Sequence, residues 1–337
     1  MSELTWNHLS ILQKEVFTIL ENSFSQNRLS HAYLFEGYRG TKKKATAELF
    51  AMRLLCLHPK IESRPCGMCP SCKNASEDVH PNLFWIRPDG ETIKKDQMKK
   101  ILAEFSKTAL LHQPRICVIV DAHKMNTESA NTMLKFMEEP TADAYFVLIT
   151  EQVDAMIKTI LSRTQVLHFK PIARQILTKE LRAIGVSERL CLLIPEYTND
   201  FDSAVELANH PMYIEMVDFA NTLYIKALAK KESLLLLSKS KKELILSSNE
   251  TFDFFITMLL VLQKDVYHMK KHLPSLVVDT IDIELITQLA KRSSQSMIEE
   301  LLQQMLELKS RLRYHINQSL AFDNLIMHLE RGLQYGI

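Results

Sequence analysis

The chain has 337 residues, 46% hydrophobic and 24% charged, with a formal net charge of +1. That length suggests two or three domains, and a composition with only seven glycines and no low-complexity tract or fixed-period repeat excludes a disordered or solenoid chain. The near-neutral charge excludes a global basic field for nucleic acid, and the longest apolar run, around Phe254–Leu262, is too short to span a bilayer.

Leu12, Val16, Ile19, Leu20 and Phe24 recur at helical spacing and predict a helix over 9–27. His31 to Glu36 is a short strand, followed by a turn at Gly37 to Gly40 and a helix carrying Ala45, Leu49 and Met52. A cysteine-rich insert with Pro59, Pro65, Pro70 and Pro81 occupies 56–81. Leu83 to Ile86 is the next strand, and a helix runs over about 94–108. Ile116 to Val120 is a continuous apolar, β-branched run, the pattern of a strand buried on both faces, and it ends at Asp121. A helix over 127–138 stops at Pro140, so Glu138 and Glu139 are expected to close a helix and not to form an acid–base pair. Strands follow at 145–149 and 164–169. Alternating strands and helices imply a parallel α/β sheet with covered faces. Short helices are expected at 173–184, 188–193 and 201–208, then long ones at 212–229, 251–271 and 295–332. The predicted domains are 1–170, 171–208 and 209–337. The start from Met1 to Trp6 has no basic or apolar region of a signal peptide, so a cytoplasmic protein is expected.

Strand, turn and helix around residue 37 form the context of a phosphate loop, whose pattern is Gly-x-x-x-x-Gly-Lys-Ser/Thr. In that register Gly37 and the phosphate-contacting Lys43 survive, but Lys42 replaces the second glycine and Lys44 replaces the magnesium-binding hydroxyl. The glycine lets backbone close on phosphates, and the hydroxyl ligates magnesium, so both losses act against nucleotide chemistry. Asp121 stands where a metal-organising carboxylate is expected, and Ala122 follows it where hydrolysing families place a catalytic glutamate. Gly37, Gly40, Lys43 and Asp121 are therefore remnants, and ATP hydrolysis by this chain is not expected. Lys42 to Lys44 leave anion binding open, and a plain lysine-rich helix start is the alternative.

Cys66, Cys69 and Cys72 stand two residues apart, with Cys56 upstream. Four thiolates close a tetrahedral zinc site with no open position, and an insert poor in apolar mass needs such a staple. An iron–sulfur cluster is the competitor, but no fourth cysteine follows Cys72 at the ferredoxin spacing. A redox dithiol is another, and His58 or His80 are alternatives to Cys56 as fourth ligand. Cys117 and Cys191 lie in apolar runs and are expected to be core thiols.

In chain order, His31 to Phe35, the four-cysteine insert, the strand ending at Asp121, the segment Ser129 to Pro140 and the segment Thr159 to Thr164 resemble the clamp-loader subunits of DNA polymerase III, the bacterial replicative polymerase. The resemblance covers most of the first 170 residues; beyond Pro171 it rests on helical architecture alone. It implies an AAA+ fold, a RecA-like parallel sheet with helices on both faces, plus a small helical lid domain and an all-α C-terminal collar domain. Ser162-Arg163-Thr164 is similar to the family's Ser-Arg-Cys signature, whose arginine reaches the ATP site of the neighbouring subunit. An arginine finger in trans is worth ~10³–10⁵ in rate. The change to threonine at 164 is a packing change, and Thr150 matches the polar sensor position. Asp200 to Val205 lacks the nucleotide-facing arginine of active members, which favours a non-hydrolysing subunit.

The cysteine pattern predicts a structural zinc ion, and the resemblance implies a stator in a five-subunit arc with gamma/tau and delta, within the polymerase holoenzyme. The sliding clamp and primer–template DNA are met through that complex, and no membrane is. A gamma/tau-like ATPase and a cysteine-metal redox or nucleic-acid-binding module are the two alternatives. The fifteen methionines read as core, Lys94, Lys95, Lys99, Lys100, Lys239, Lys241 and Lys242 as solvated faces, and His268, His272 and His315 carry no ligand pattern.

Overall fold

The computed structural model describes residues 5–59, 64–105, 113–138, 143–230, 232–279, 282–312, 314 and 316–335. The chain divides into two compact units, Met1–Ile172 and Ala173–Ile337.

The first unit runs α1 (Trp6–Leu12), α2 (Lys14–Ser25), β1 (Ala32–Gly37), α3 (Lys43–Leu55), α4 (Pro70–Ser76), β2 (Leu83–Ile86), α5 (Lys95–Phe105), β3 (Arg115–Ile119), α6 (Thr127–Glu138), β4 (Ala144–Thr150), α7 (Lys158–Leu161) and β5 (Gln165–Phe169). The strands form one parallel sheet in the order β2-β3-β4-β1-β5. β1 is central, with Leu34 level with Leu148 of β4 and with Val166 of β5. Parallel neighbours need crossovers, and the helices that supply them cover both faces. On one face Leu34, Cys117, Phe146 and Leu148 are buried with Met98 and Leu102 of α5 and Ala130 and Met133 of α6. On the other, Tyr33 packs edge-on to Phe50 of α3 at 5.2 Å, and Phe50 meets Phe24 of α2 at 5.5 Å. This is the AAA+ arrangement expected above.

The helix expected over 9–27 is two helices, because Gln13 leaves helical geometry (φ −132°, ψ 54°) between them. Its buried side chain donates to the carbonyls of Thr41 and Lys170, partners that a continuous helix would not present to it. α5 is described to Phe105, so residues 106–108 of its expected span lie outside the described residues, as do Glu139 and Pro140 after α6.

The second unit is helical: α8 (Arg174–Ala183), α9 (Glu188–Tyr197), α10 (Phe201–Asn209), α11 (Pro211–Ala229), α12 (Leu234–Ser238), α13 (Lys242–Ile245), α14 (Asn249–Lys270), α15 (Ile283–Arg292), α16 (Gln295–Arg311) and α17 (Gln318–Glu330). α14 is the spine, buried along most of its length and packed by α11, α15 and α16. Its start is fixed by a capping box in which Ser248 and Thr251 satisfy each other's backbone N–H groups. Inside this packing the buried Tyr224 hydroxyl donates to Gln263 Oε1 at 3.0 Å. The buried Asp265 carboxylate accepts from the N–H groups of Val278 and Asp279, each at 2.8 Å. The single helix expected over 295–332 is divided: α16 ends at Arg311, and Asn317 starts α17 by accepting from the N–H of Leu320. His315 falls outside the described residues. Among the described residues no helix is long and apolar enough to cross a membrane.

Candidate functional site

β1 delivers the chain to the loop that begins at Gly37, where a Cβ would lie 2.3 Å from the carbonyl oxygen of Phe169 on β5. Only glycine fits so close an approach. The loop then turns through Gly40 (φ +80°) and Lys42, which adopts the left-handed conformation (φ 66°, ψ 21°) just before α3. The backbone at 42 thus keeps a shape suited to glycine while carrying a lysine, at a cost of ~1–2 kcal/mol.

Thr41, Lys42 and Lys43 are all buried. The Lys43 ammonium donates to the carbonyls of Gly37 and Tyr38, each at 2.6 Å, and to Thr41 Oγ1 at 3.3 Å. Three donors thus meet three acceptors inside the loop. Burial pulls the Lys43 pKa below the ordinary lysine value, opposed by the charges of Glu151, Asp121 and Glu36. The Gln13 amide, absent from the sequence-based site, holds the other side of this loop through Thr41. Lys44 is exposed and lies over the Trp85 ring at 6.0 Å from its centroid.

At the end of β3, Asp121 pairs with Lys124 at 3.1 Å, and Ala122 beside it is buried. At the end of β4, Thr150 is fully buried, its Oγ1 3.2 Å from His123 Nδ1 and accepting from the N–H of Gln152 at 3.1 Å. His123 is a further residue missed from the sequence, since nothing local couples it to position 150. The carboxylate and hydroxyl that would serve a metal–nucleotide complex are engaged by neighbouring side chains of the same unit.

Arg163 follows α7 and is half-exposed, its side chain 38% accessible. Its guanidinium pairs through NH2 with Glu138 Oε1 at 2.8 Å and donates through NH1 to the carbonyl of Thr159 at 3.1 Å. Thr164, at the position of the family's cysteine, donates its hydroxyl to the carbonyl of Ile160 at 3.1 Å, which leaves the guanidinium untouched.

The cysteine insert gathers Cys56, Cys66, Cys69 and Cys72, whose sulfurs all lie within 4.8 Å of one another. Cys56 ends α3, and α4 begins with Pro70 at its first turn and the Cys69 sulfur accepting from the N–H of Cys72. Further N–H groups point at sulfur from Cys66 to Cys56 and from Cys69 to Cys66, each at 3.3 Å. A tetrahedral centre with zinc–sulfur bonds of about 2.3 Å sets sulfurs about 3.8 Å apart. Cys66 and Cys72 are 3.9 Å apart, so this donor set fits a zinc ion with little movement. Backbone N–H groups of Met68 and Cys69 pull the Cys66 thiol down to about 6, while burial pushes Cys72 and Cys56 up. His58 is exposed and His80 is buried, accepting at Nδ1 from the N–H of Asn82; neither joins the cluster. Cys117 and Cys191 are buried outside the cluster; burial pushes Cys117 up to about 12, and Cys191 donates to the carbonyl of Val186.

The family model described as "DNA polymerase III, delta subunit" matches residues 12–173, and that described as "DNA polymerase III, delta subunit, C terminal" matches residues 217–331. DNA polymerase III subunit delta' of Bacillus subtilis is 32% identical over 329 residues, covering 98% of this chain and 99% of its own. DNA polymerase III subunit tau/gamma of Haemophilus influenzae is 32% identical over 178 residues, 53% of this chain and 26% of that one. A solved gamma-subunit-related protein of DNA polymerase III from Thermotoga maritima aligns with 93% of this chain and 99% of its own, at 16% identity and a TM-score of 0.43.

Proposed function

The chain belongs to the DNA polymerase III delta-prime family of clamp-loader subunits, and from that premise we propose that it promotes ATP hydrolysis at a companion's site without hydrolysing ATP itself. Arg163 is the finger it supplies in trans. Gamma/tau subunits hold the ATP, delta completes the arc, and the first unit is the stator against which they move. Residues 171–208 form the lid and 209–337 the collar. The complex opens the sliding clamp on primer–template DNA in the cytoplasm. A zinc ion held by Cys56, Cys66, Cys69 and Cys72 supplies the cross-link that keeps the 56–81 module folded.

The observation that carries this reading is the Lys43 ammonium, tied to the carbonyls of its own loop, with Lys44 where a magnesium-binding hydroxyl would be needed. In such a loop the lysine at the phosphate-contacting position is already held by its own carbonyls, and no hydroxyl stands at 44 to ligate magnesium. The finger reading is supported by the half-exposed guanidinium of Arg163 in the matching signature.

The test is a loader reconstituted with Arg163→Ala. Single-turnover ATP hydrolysis on primed DNA falls ~10³–10⁵-fold at the site this arginine serves, while the complex still assembles on gel filtration. Unchanged turnover rejects the finger. Micromolar Mg-ATP binding by the isolated chain would instead favour a gamma-type ATPase.

A further inference from the structure

The anion that Arg163 is meant to meet lies on another chain, yet the guanidinium already holds one. Its NH2 group pairs with Glu138 Oε1 at 2.8 Å, and NH1 rests on the Thr159 carbonyl at 3.1 Å. The backbone beneath is fixed, since the N–H of Arg163 donates to the carbonyl of Ile160 at 3.0 Å and Thr164 Oγ1 bonds the same carbonyl. Only the side chain is left to swing. Glu138 is 49% accessible and Arg163 38%, so the pair can be reached from outside and is weak by its exposure.

Carboxylate and phosphoryl oxygens are equivalent partners for a guanidinium edge. They carry the same charge, so they repel each other at one N–H group. The geometry points to Glu138 as a positioning residue that parks the finger: an internal stand-in for phosphate, which the γ-phosphoryl group of the neighbouring subunit's ATP must displace. This inference rests on the finger role of Arg163. The exchange makes finger engagement a competition between two anions, and it raises the ATP concentration needed to engage the finger without altering the chemical step.

Glu138→Gln keeps the side chain's shape and removes the competing charge. In the reconstituted loader, KM for ATP is expected to fall about two- to fivefold, the size a half-exposed ion pair allows, with kcat unchanged. The difference narrows with added salt, which screens the pair in the native subunit. With Arg163→Ala as background, Glu138→Gln changes nothing further. An unchanged KM, or a fall of kcat toward the Arg163→Ala value, overturns the parking role and leaves the finger standing. An Arg163→Ala loader with native turnover removes the finger and the inference with it.

Discussion

Lys43 and Gly37 are the two positions of the loop that match the phosphate-loop pattern, and the structure gives the lysine a different occupation. Its ammonium bridges the carbonyls of Gly37 and Tyr38, bonds of the charged kind that contribute about 1.5–3 kcal/mol each when buried. Lys43→Ala is therefore expected to destabilise the first unit by roughly 2–3 kcal/mol in urea denaturation. Loader ATPase should stay at the native level once the variant has assembled. Native stability with lost hydrolysis would return a nucleotide role to this lysine. The retained lysine is thus read as a brace, a distinction that the motif alone could not make because both roles use the same side chain.

Among the elements, the four-cysteine module makes the firmest chemical prediction. The purified chain should carry one zinc ion and be colourless. Chelation should open 56–81 to protease while the sheet stays folded; a brown protein, or equal protection after chelation, would refute a zinc staple. The strands were legible in the sequence to within about a residue at each end, because runs such as Ile116 to Val120 are apolar on both faces and admit no other environment. Helix joints were not. Gln13 sits in an apolar period that reads straight through it, and its partners Thr41 and Lys170 lie 28 and 157 residues away. The division between α16 and α17 was missed for the same reason: heptad-like apolar spacing resumes after Asn317 as though nothing intervened. Spacing left Cys56, His58 and His80 as rival ligands, and it was folding that gathered Cys56 and turned His80 toward Asn82. Glu138 was visible only as a helix end, since its pairing with Arg163 spans α7 and a strand of the sheet.

On the scale of the whole molecule, the second unit is expected to carry a pH dependence of its own. Burial pushes the Asp265 carboxyl from its ordinary 3.8 up to about 6, against the lowering by the N–H groups of Asp279 and Val278, with the Asp279 charge adding to the rise. The folded second unit therefore binds this proton more tightly than the unfolded chain does. The stabilisation is complete below about pH 4, is lost as pH rises through about 6, and amounts to roughly 2–3 kcal/mol. Urea transitions followed by hydrogen exchange at pH 5 and pH 7.5 should show α14 and the Val278 and Asp279 amides less protected at the higher pH. Asp265→Asn should remove that slope, and a slope that survives it would assign the effect elsewhere.

The Gln13 amide joins the loop at Thr41 to the carbonyl of Lys170, and Gly37 lies against Phe169. Synthesis runs from the amino end, and domains fold as units while the chain emerges. A loop propped from both sides by residues 169 and 170 cannot take its final form while the ribosome still conceals them. The turn that comes early in translation is thereby among the last parts of its unit to be finished.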